Sequence, residues 1–286
     1  MKTPLVSVIM PVYNIEGFIK EAIHSILNQS YHNFEFIIIN DGSTDNTSSM
    51  IREEKDSRII YIDRAINKGN YNARNEGCRM AKGKYICVMD GDDIAMSNRL
   101  ERQVQIMEED TEILAMGTDF QFINTGYIQK KPKSYSLLKI FLLQNNMFLH
   151  PSLIIRNEVL AQVNYYNEEF YYSSDYDLMC KISLIGKVIN TPDILMHYRI
   201  HEKQISSKDY FRQCHYADLI RIKYLRTCGF RLPKNEEAVF SQFMSRNKNL
   251  NKQISKPILD SLMKQNLKLK VFDQQIFSDF ISYLYF

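Results

Sequence analysis

Asp90-Gly91-Asp92-Asp93 follows the apolar run Tyr85-Ile86-Cys87-Val88-Met89. The run reads as a buried strand that stops in carboxylates. Residues two apart in an extended segment point the same way. Asp90 and Asp92 can therefore face one ligand. Two carboxylates turned toward one point repel unless a cation or a donor lies between them. A hard divalent ion carrying a diphosphate satisfies both. In open α/β sheets, ligands bind outside the carboxyl ends of the strands. Asp-Gly is also common turn chemistry, so an acidic surface turn accounts for the same residues. On spacing alone the two readings are evenly matched.

A site of this kind needs strands to position it, and the sequence supplies them. Leu5 to Met10, closed by Pro11, reads as a central strand. Phe34 to Ile39 reads as a second buried strand, Arg58 to Ile62 as a weaker third and Tyr85 to Met89 as the fourth. Between them, Phe18, Ile19, Ala22, Ile23, Ile26 and Leu27 carry the spacing of an amphipathic helix. Thr44 is placed to cap a helix running to about Lys55. Asn70 to Ala81 completes a third helix. Strands alternating with helices predict an α/β fold with a mostly parallel sheet covered on both faces. Beyond Asp93 the pattern predicts helices over 99–109, 137–143 and 176–185. Extended segments are predicted over 113–123, 152–155, 187–190 and 195–198. Successive helices then follow over about 207–227, 235–247, 256–267 and 272–284.

Composition narrows the function classes. The 286 residues are 45% hydrophobic and 24% charged, ordinary for a soluble globular protein. No stretch has the apolar length of a membrane span. The start, Met1-Lys2-Thr3-Pro4, lacks the apolar core of a signal peptide. Five scattered cysteines without a C-x-x-C pair suit reduced thiols rather than a disulfide frame or a zinc site. The net charge of +3 hides a division. Residues 203–286 hold 15 Lys/Arg against 7 Asp/Glu, while residues 1–202 hold 21 against 26. Such an asymmetry points to two parts with different partners, meeting near Lys203.

Four features fall at predicted strand ends or in adjoining loops: Pro11-Val12-Tyr13-Asn14, Asp41-Gly42-Ser43-Thr44-Asp45, the segment Asn67 to Arg74, and Asp90 to Asp93. In this order they resemble the P-x-Y-N, D-G-S-x-D, A-R-N and D-x-D-D motifs of family 2 glycosyltransferases with the GT-A fold. The resemblance covers about residues 5–202, with a nucleotide-binding half over about 1–95 and an acceptor half over about 96–202. It implies an inverting enzyme that moves one sugar from a nucleotide-sugar donor, UDP-linked by preference, to a saccharide or lipid-linked saccharide acceptor. Tyr13 offers a flat ring for a nucleobase, or is simply a half-buried aromatic. Asp41 can accept the N3–H of uracil, or cap a turn. The family assigns Asp41 to the base and Pro11 and Tyr13 to the nucleotide pocket. Arg74 offers a guanidinium to the base or the diphosphate, or is solvated. The resemblance gives Asp90 to the ribose or the metal, and Asp92 to Mn²⁺ or Mg²⁺. Asp93 braces the loop or caps the next helix.

On the acceptor side, Ser174-Asp175-Tyr176-Asp177-Leu178 matches the family's E-D-x-D-L helix start, with Ser174 where Glu is frequent. The resemblance makes Asp175 the general base. Asp177 ranks second, with favourable interaction with the helix dipole as its other reading. His150, before a strand, is acceptor-side by family analogy or a buried structural His. Tyr198-Arg199-Ile200-His201 resembles the family's Y-R-x-H, where His201 can join Asp92 at the metal or stay solvated. Processive polymer synthases of the family carry a Q-x-x-R-W motif and membrane spans; this chain has no Trp. The resemblance thus implies single additions in bacterial cell-surface polysaccharide or lipopolysaccharide synthesis. The expected place is the cytoplasm, or the periphery of the inner membrane's cytoplasmic face. The basic C-terminal helices present a solvated face, an anionic-membrane surface or a homodimer interface. Nucleic acid is not an expected partner, because no binding motif accompanies the charge. A sugar nucleotidyltransferase and a non-catalytic nucleotide-sugar-binding subunit remain the alternatives. The first would carry a Gly-rich, Arg-containing loop where this chain has Pro11 to Asn14.

Overall fold

The computed structural model describes residues 3–202, 204, 210–245 and 252–285. Lys203 and the predicted helical residues 207–209 and 246–247 lie outside the described residues. The chain alternates β1 (Val6–Val12), α1 (Ile19–Leu27), β2 (Phe34–Asp41), α2 (Thr47–Glu53), β3 (Ile59–Arg64), α3 (Asn70–Met80) and β4 (Tyr85–Val88). Next come β5 (Ile94–Ala95), α4 (Arg99–Glu109), β6 (Ile113–Phe122), β7 (Ile128–Gln129), α5 (Tyr135–Phe141), a 3₁₀ turn (His150–Ser152) and β8 (Ile154–Arg156). Then follow α6 (Asn157–Gln162), α7 (Ser174–Ile185) and β9 (Lys187–Tyr198). The helices α8 (Tyr210–Thr227), α9 (Lys234–Met244), α10 (Lys252–Leu269) and α11 (Gln274–Tyr285) complete it.

The strands form one sheet in the order β3-β2-β1-β4-β8-β6-β9-β5, with β7 on β6. The long ladders, β3-β2-β1-β4 and β6-β9, are parallel. The antiparallel pairs that β8, β7 and β5 make are only two or three residues long. Alternation along β1 feeds two cores. Val8 and Met10 join Ile19, Ile23 and Ile26 of α1 and Leu100 of α4 on one face. Ile9 joins Ala73 of α3, Leu138 of α5 and Leu178 of α7 on the other. That second core runs on through Tyr224, Phe240, Leu262 and Phe277. The C-terminal helices therefore share apolar packing with the sheet, even though their charge differs.

Three local expectations change. Pro11 does not close β1 but lies inside it, opposite Ile39. The carbonyl of Ile9 accepts from Met89 N–H, so by the two-residue period Pro11 also faces the β4 side. There β4 has ended, and the missing N–H leaves no ladder bond broken. Thr44 does not cap α2; its N–H donates to Asn14 Oδ1, and Asp45 Oδ1 takes the N–H of Thr47. The two short strands expected over 187–198 are one strand, β9. Its register against β6 shifts between Thr191 and Ile194, so a bulge absorbs Pro192.

Arg99 is fully buried beneath the end of β4. Its Nη2 donates to the carbonyl of Val88 at 2.9 Å, and its Nε to Gln103 Oε1 at 3.0 Å. Replacing it by Ala leaves the strand-end carbonyl unpaired and opens a cavity. Arg99→Ala is expected to cost about 2–4 kcal/mol. Urea denaturation should show a lower midpoint at an unchanged slope.

Candidate active site

The carboxyl ends of β1, β2 and β4 meet in three loops. Asn14 joins the first two: its N–H donates to Ser43 Oγ at 3.0 Å, and its Oδ1 accepts the N–H of Thr44 at 2.7 Å. Ile15 N–H reaches Thr47 Oγ1 and Glu16 N–H reaches Asp45 Oδ2. Tyr13, carried by this loop, is 47% exposed, whereas Pro11 is buried. Pro11 thus shapes the exit of β1 and Tyr13 presents the surface. Gly91 is required by close approach, since a Cβ there would stand 2.3 Å from Ile15 Cδ1 and 2.9 Å from Val12 Cγ1.

Asp41 ends β2 and is 2% exposed. Its Oδ2 accepts the N–H of Gly69 at 2.8 Å, and its Oδ1 accepts Lys68 N–H and Arg64 Nη1. The carboxylate therefore holds the loop that opens α3. Arg74 differs from its expected placement at the nucleotide. It is 0% exposed, and its guanidinium donates to Asp90 Oδ1 and to the carbonyls of Ile9 and Met89. It sits behind Asp90 because α3 packs directly on β1 and β2, which leaves its side chain no route to solvent.

Asp92 and His201 come together from 109 residues apart, Oδ2 to Nε2 at 2.8 Å. Burial raises the Asp92 carboxyl, and Asp90 raises it further. Asp93 is 1% exposed, accepts the N–H of Arg199 and does not cap α4, which begins after Asn98. Arg199 Nε donates to the carbonyl of Asp92, and its Nη2 reaches Glu21. His201 Nδ1 and Asp93 Oδ2 are buried without a hydrogen-bond partner. A carboxylate and an imidazole make a suitable pair of ligands for a divalent ion. Among the described residues no group of three or more His, Cys, Asp or Glu is arranged to hold a metal. The protein would thus contribute two ligands and leave the remaining positions to phosphate oxygens.

Asp175 lies in the first turn of α7. Each carboxylate oxygen takes one neutral donor: Oδ1 from the Tyr71 phenol at 3.1 Å, Oδ2 from Asn146 Nδ2 at 2.7 Å. Burial raises the Tyr71 phenol well above its usual range, so it stays protonated and able to donate. Tyr71 stacks on Tyr166, whose hydroxyl meets His150 Nε2 at 3.0 Å. His150 and Tyr166 feel the charges of both Asp90 and Asp175, so this aromatic group links the two carboxylates. Sequence reasoning missed Tyr71 and Asn146, because neither has a spacing that names a partner. Asp177 does not face this region. It is 1% exposed and bound to Lys223 of α8 at 2.7 Å and Lys181 at 3.5 Å. Helix periodicity turns it about 200° from Asp175.

His150 gives a pH test. Burial, then Arg74, lowers its imidazole from 6.5 to about 4. The unfolded chain therefore takes up a proton between these values that the folded chain refuses. Stability is full above about 6.5 and lost as pH falls toward 4. The native chain should lose up to about 3 kcal/mol over this window relative to His150→Gln. Urea midpoints of both proteins from pH 7 to 4 measure the difference.

Known proteins resemble this chain in sequence and in fold. The model of "Glycosyl transferase family 2" matches residues 7–163, more than half of the chain. An uncharacterized glycosyltransferase of Haemophilus influenzae is 38% identical over 221 residues, covering 71% of this chain and 68% of its own. A relative in Escherichia coli, the UDP-Glc:alpha-D-GlcNAc-diphosphoundecaprenol beta-1,3-glucosyltransferase WfgD, is 32% identical over 208 residues, covering 72% and 81%. Among solved structures, S. aureus TarS 1–349 in complex with UDP-GlcNAc is similar with a TM-score of 0.65 at 17% identity, over 97% of this chain and 91% of that one. Mannosyltransferase PcManGT from Pyrobaculum calidifontis, in complex with GDP-Man and Mn²⁺, gives 0.66 at 17% identity, over 93% and 76%. These two share the fold. With its ordered motifs gathered at one edge of a GT-A sheet, the chain belongs to glycosyltransferase family 2.

Proposed function

We propose that this glycosyltransferase moves a single sugar from a UDP-linked donor to a hydroxyl of a lipid-linked saccharide, with inversion. The observation that carries the reading is the meeting of Asp92 with His201 beyond β4, together with Asp175 held by Tyr71 of α3 and by Asn146. Asp175 takes the proton of the acceptor hydroxyl as its oxygen bonds to the anomeric carbon. The bond from that carbon to the diphosphate oxygen breaks on the opposite side, which inverts the centre. Asp90, fixed by Arg74, faces the ribose, and Tyr13 the base. Asp92 and His201 would hold Mn²⁺ or Mg²⁺ together with the donor phosphates. When bound, the ion supplies positive charge against the departing nucleoside diphosphate.

The printed name of WfgD, with its UDP-Glc donor and diphosphoundecaprenol acceptor, supports a UDP-sugar and a lipid-linked saccharide. The Mn²⁺ complex of the similar mannosyltransferase supports a divalent ion. Among the described residues no helix is long and apolar enough to cross a membrane. The excess of 15 basic over 7 acidic residues in 203–286 supports docking on an anionic membrane surface, where such an acceptor resides.

Thermal melts with UDP, GDP, dTDP and CDP, with and without Mn²⁺, test the donor site. At about 100 times Kd a ligand adds roughly 2.7 kcal/mol. A Mn²⁺-dependent gain with UDP that Asp92→Ala abolishes is the expected result; no gain with any nucleotide in the native chain refutes the reading. The base is tested by turnover. Asp175→Asn should reduce kcat by about 10²–10⁴ while keeping the UDP stabilisation. Near-native turnover in this variant would remove Asp175 from the chemistry.

A further inference from the structure

Tyr171 lies three residues before α7, outside every motif discussed above. Its ring rests on Gly69: a Cβ built on that glycine would stand 2.9 Å from Tyr171 Cε2. Gly69 has φ +96°, and its N–H is one of the donors to Asp41. Tyr171 is thus one residue removed from the carboxylate assigned to the nucleobase. Behind, it is braced by Tyr172 at 4.9 Å between ring centroids, and Tyr172 packs on Tyr216 of α8. In front it is open, at 42% exposure, and so is Tyr13 at 47%. Burial raises the Tyr171 phenol, and the neighbouring Tyr172 raises it further. Among the described residues no ring contact joins Tyr13 to Tyr171. Two exposed aromatic rings thus flank the loops around Asp41: Tyr13 through Asn14, which is bonded to Ser43 and Thr44, and Tyr171 through Gly69.

We infer that Tyr171 is the second wall of the nucleobase pocket, holding the base of the donor against Tyr13 over Asp41. The inference rests on the nucleotide-sugar reading of the site. Tyr13 belongs to the loop after β1, whereas Tyr171 belongs to the acceptor half. A base between them bridges the two halves of the domain. Stacking is indifferent to which base is bound, because every base has a π-face. Selectivity among bases is left to the backbone of the loops that Asp41 holds.

Calorimetric titration tests this without turnover. The native chain, Tyr171→Ala and Tyr171→Phe are titrated with UDP, GDP, CDP and dTDP in the presence of Mn²⁺. Inorganic pyrophosphate with Mn²⁺ serves as the base-free probe. For the nucleotide that the native chain binds best, Tyr171→Ala should weaken binding by about 5- to 150-fold. Pyrophosphate binding should be unchanged, and Tyr171→Phe should bind as the native chain does. Equal nucleotide affinity in the native chain and Tyr171→Ala overturns the inference. So does an equal loss of pyrophosphate and nucleotide, which marks damage to the phosphate site instead of a lost stack. No nucleotide binding by the native chain overturns the donor reading itself, an outcome distinct from either.

Discussion

The ion pair of Arg74 and Asp90 is the constraint around which the site is arranged. Parallel strands leave carbonyls unpaired where they end, and here that of Met89 lies under α3, beside the carbonyl of Ile9, which the Met89 N–H already engages. Arg74 covers both, each at 3.3 Å, with a guanidinium fully removed from solvent. A buried cation is tolerable only with a counter-charge and hydrogen bonds. Asp90 supplies the charge, with its carboxylate 30% exposed. The requirement fixes where the chain leaves β4, and with it the direction of Asp92 and Asp93. Arg99 serves the opposite face of the same strand end without a carboxylate of its own. The edge is therefore fastened from both sides, and of its carboxylates Asp90 and Asp92 keep partial exposure while Asp93 is buried.

A second fastening comes from the far end of the domain. Arg199 holds the D-G-D-D loop by its backbone N–H and its guanidinium at once, through Asp93, the carbonyl of Asp92 and Glu21. The bulge in β9 matters to this, because it resets the register that delivers Arg199 and His201 to the loop. The acceptor side follows a different rule. Asp175 is met by a phenol and an amide, donors without charge, and so keeps its own charge uncompensated by any neighbouring Lys or Arg in ion-pair contact among the described residues.

Much of the fold was legible because hydrophobic period is a local property. The i, i+3, i+4 spacing of Ile19, Ala22, Ile23 and Ile26 marked α1, and the unbroken apolar runs marked β1, β2 and β4. That the Asp90 to Asp93 run follows β4, and that Asp175 opens a helix, was legible from the local pattern. What escaped was long-range. Arg74 read as a ligand contact because sequence does not state burial. Asp177 read as a possible base because its partner, Lys223, lies 46 residues away on α8. Tyr71 and Asn146 went unnoticed because they meet Asp175 from 104 and 29 residues away. Pro11 was misread for a related reason. Its tolerance inside β1 depends on where β4 stops, which only the pairing reveals.

The pairing of Asp92 with His201 has a consequence for how the molecule matures. Contacts so distant along the chain form late, after shorter loops have closed. The loops joined by Asn14, Ser43 and Asp45 involve separations of about 30 residues and can be ordered first. A chain still emerging, or halted before β9 docks, would hold ordered loops after β1 and β2 while Asp92 still lacks His201. The loop after β4 is thereby completed only when the last strand arrives.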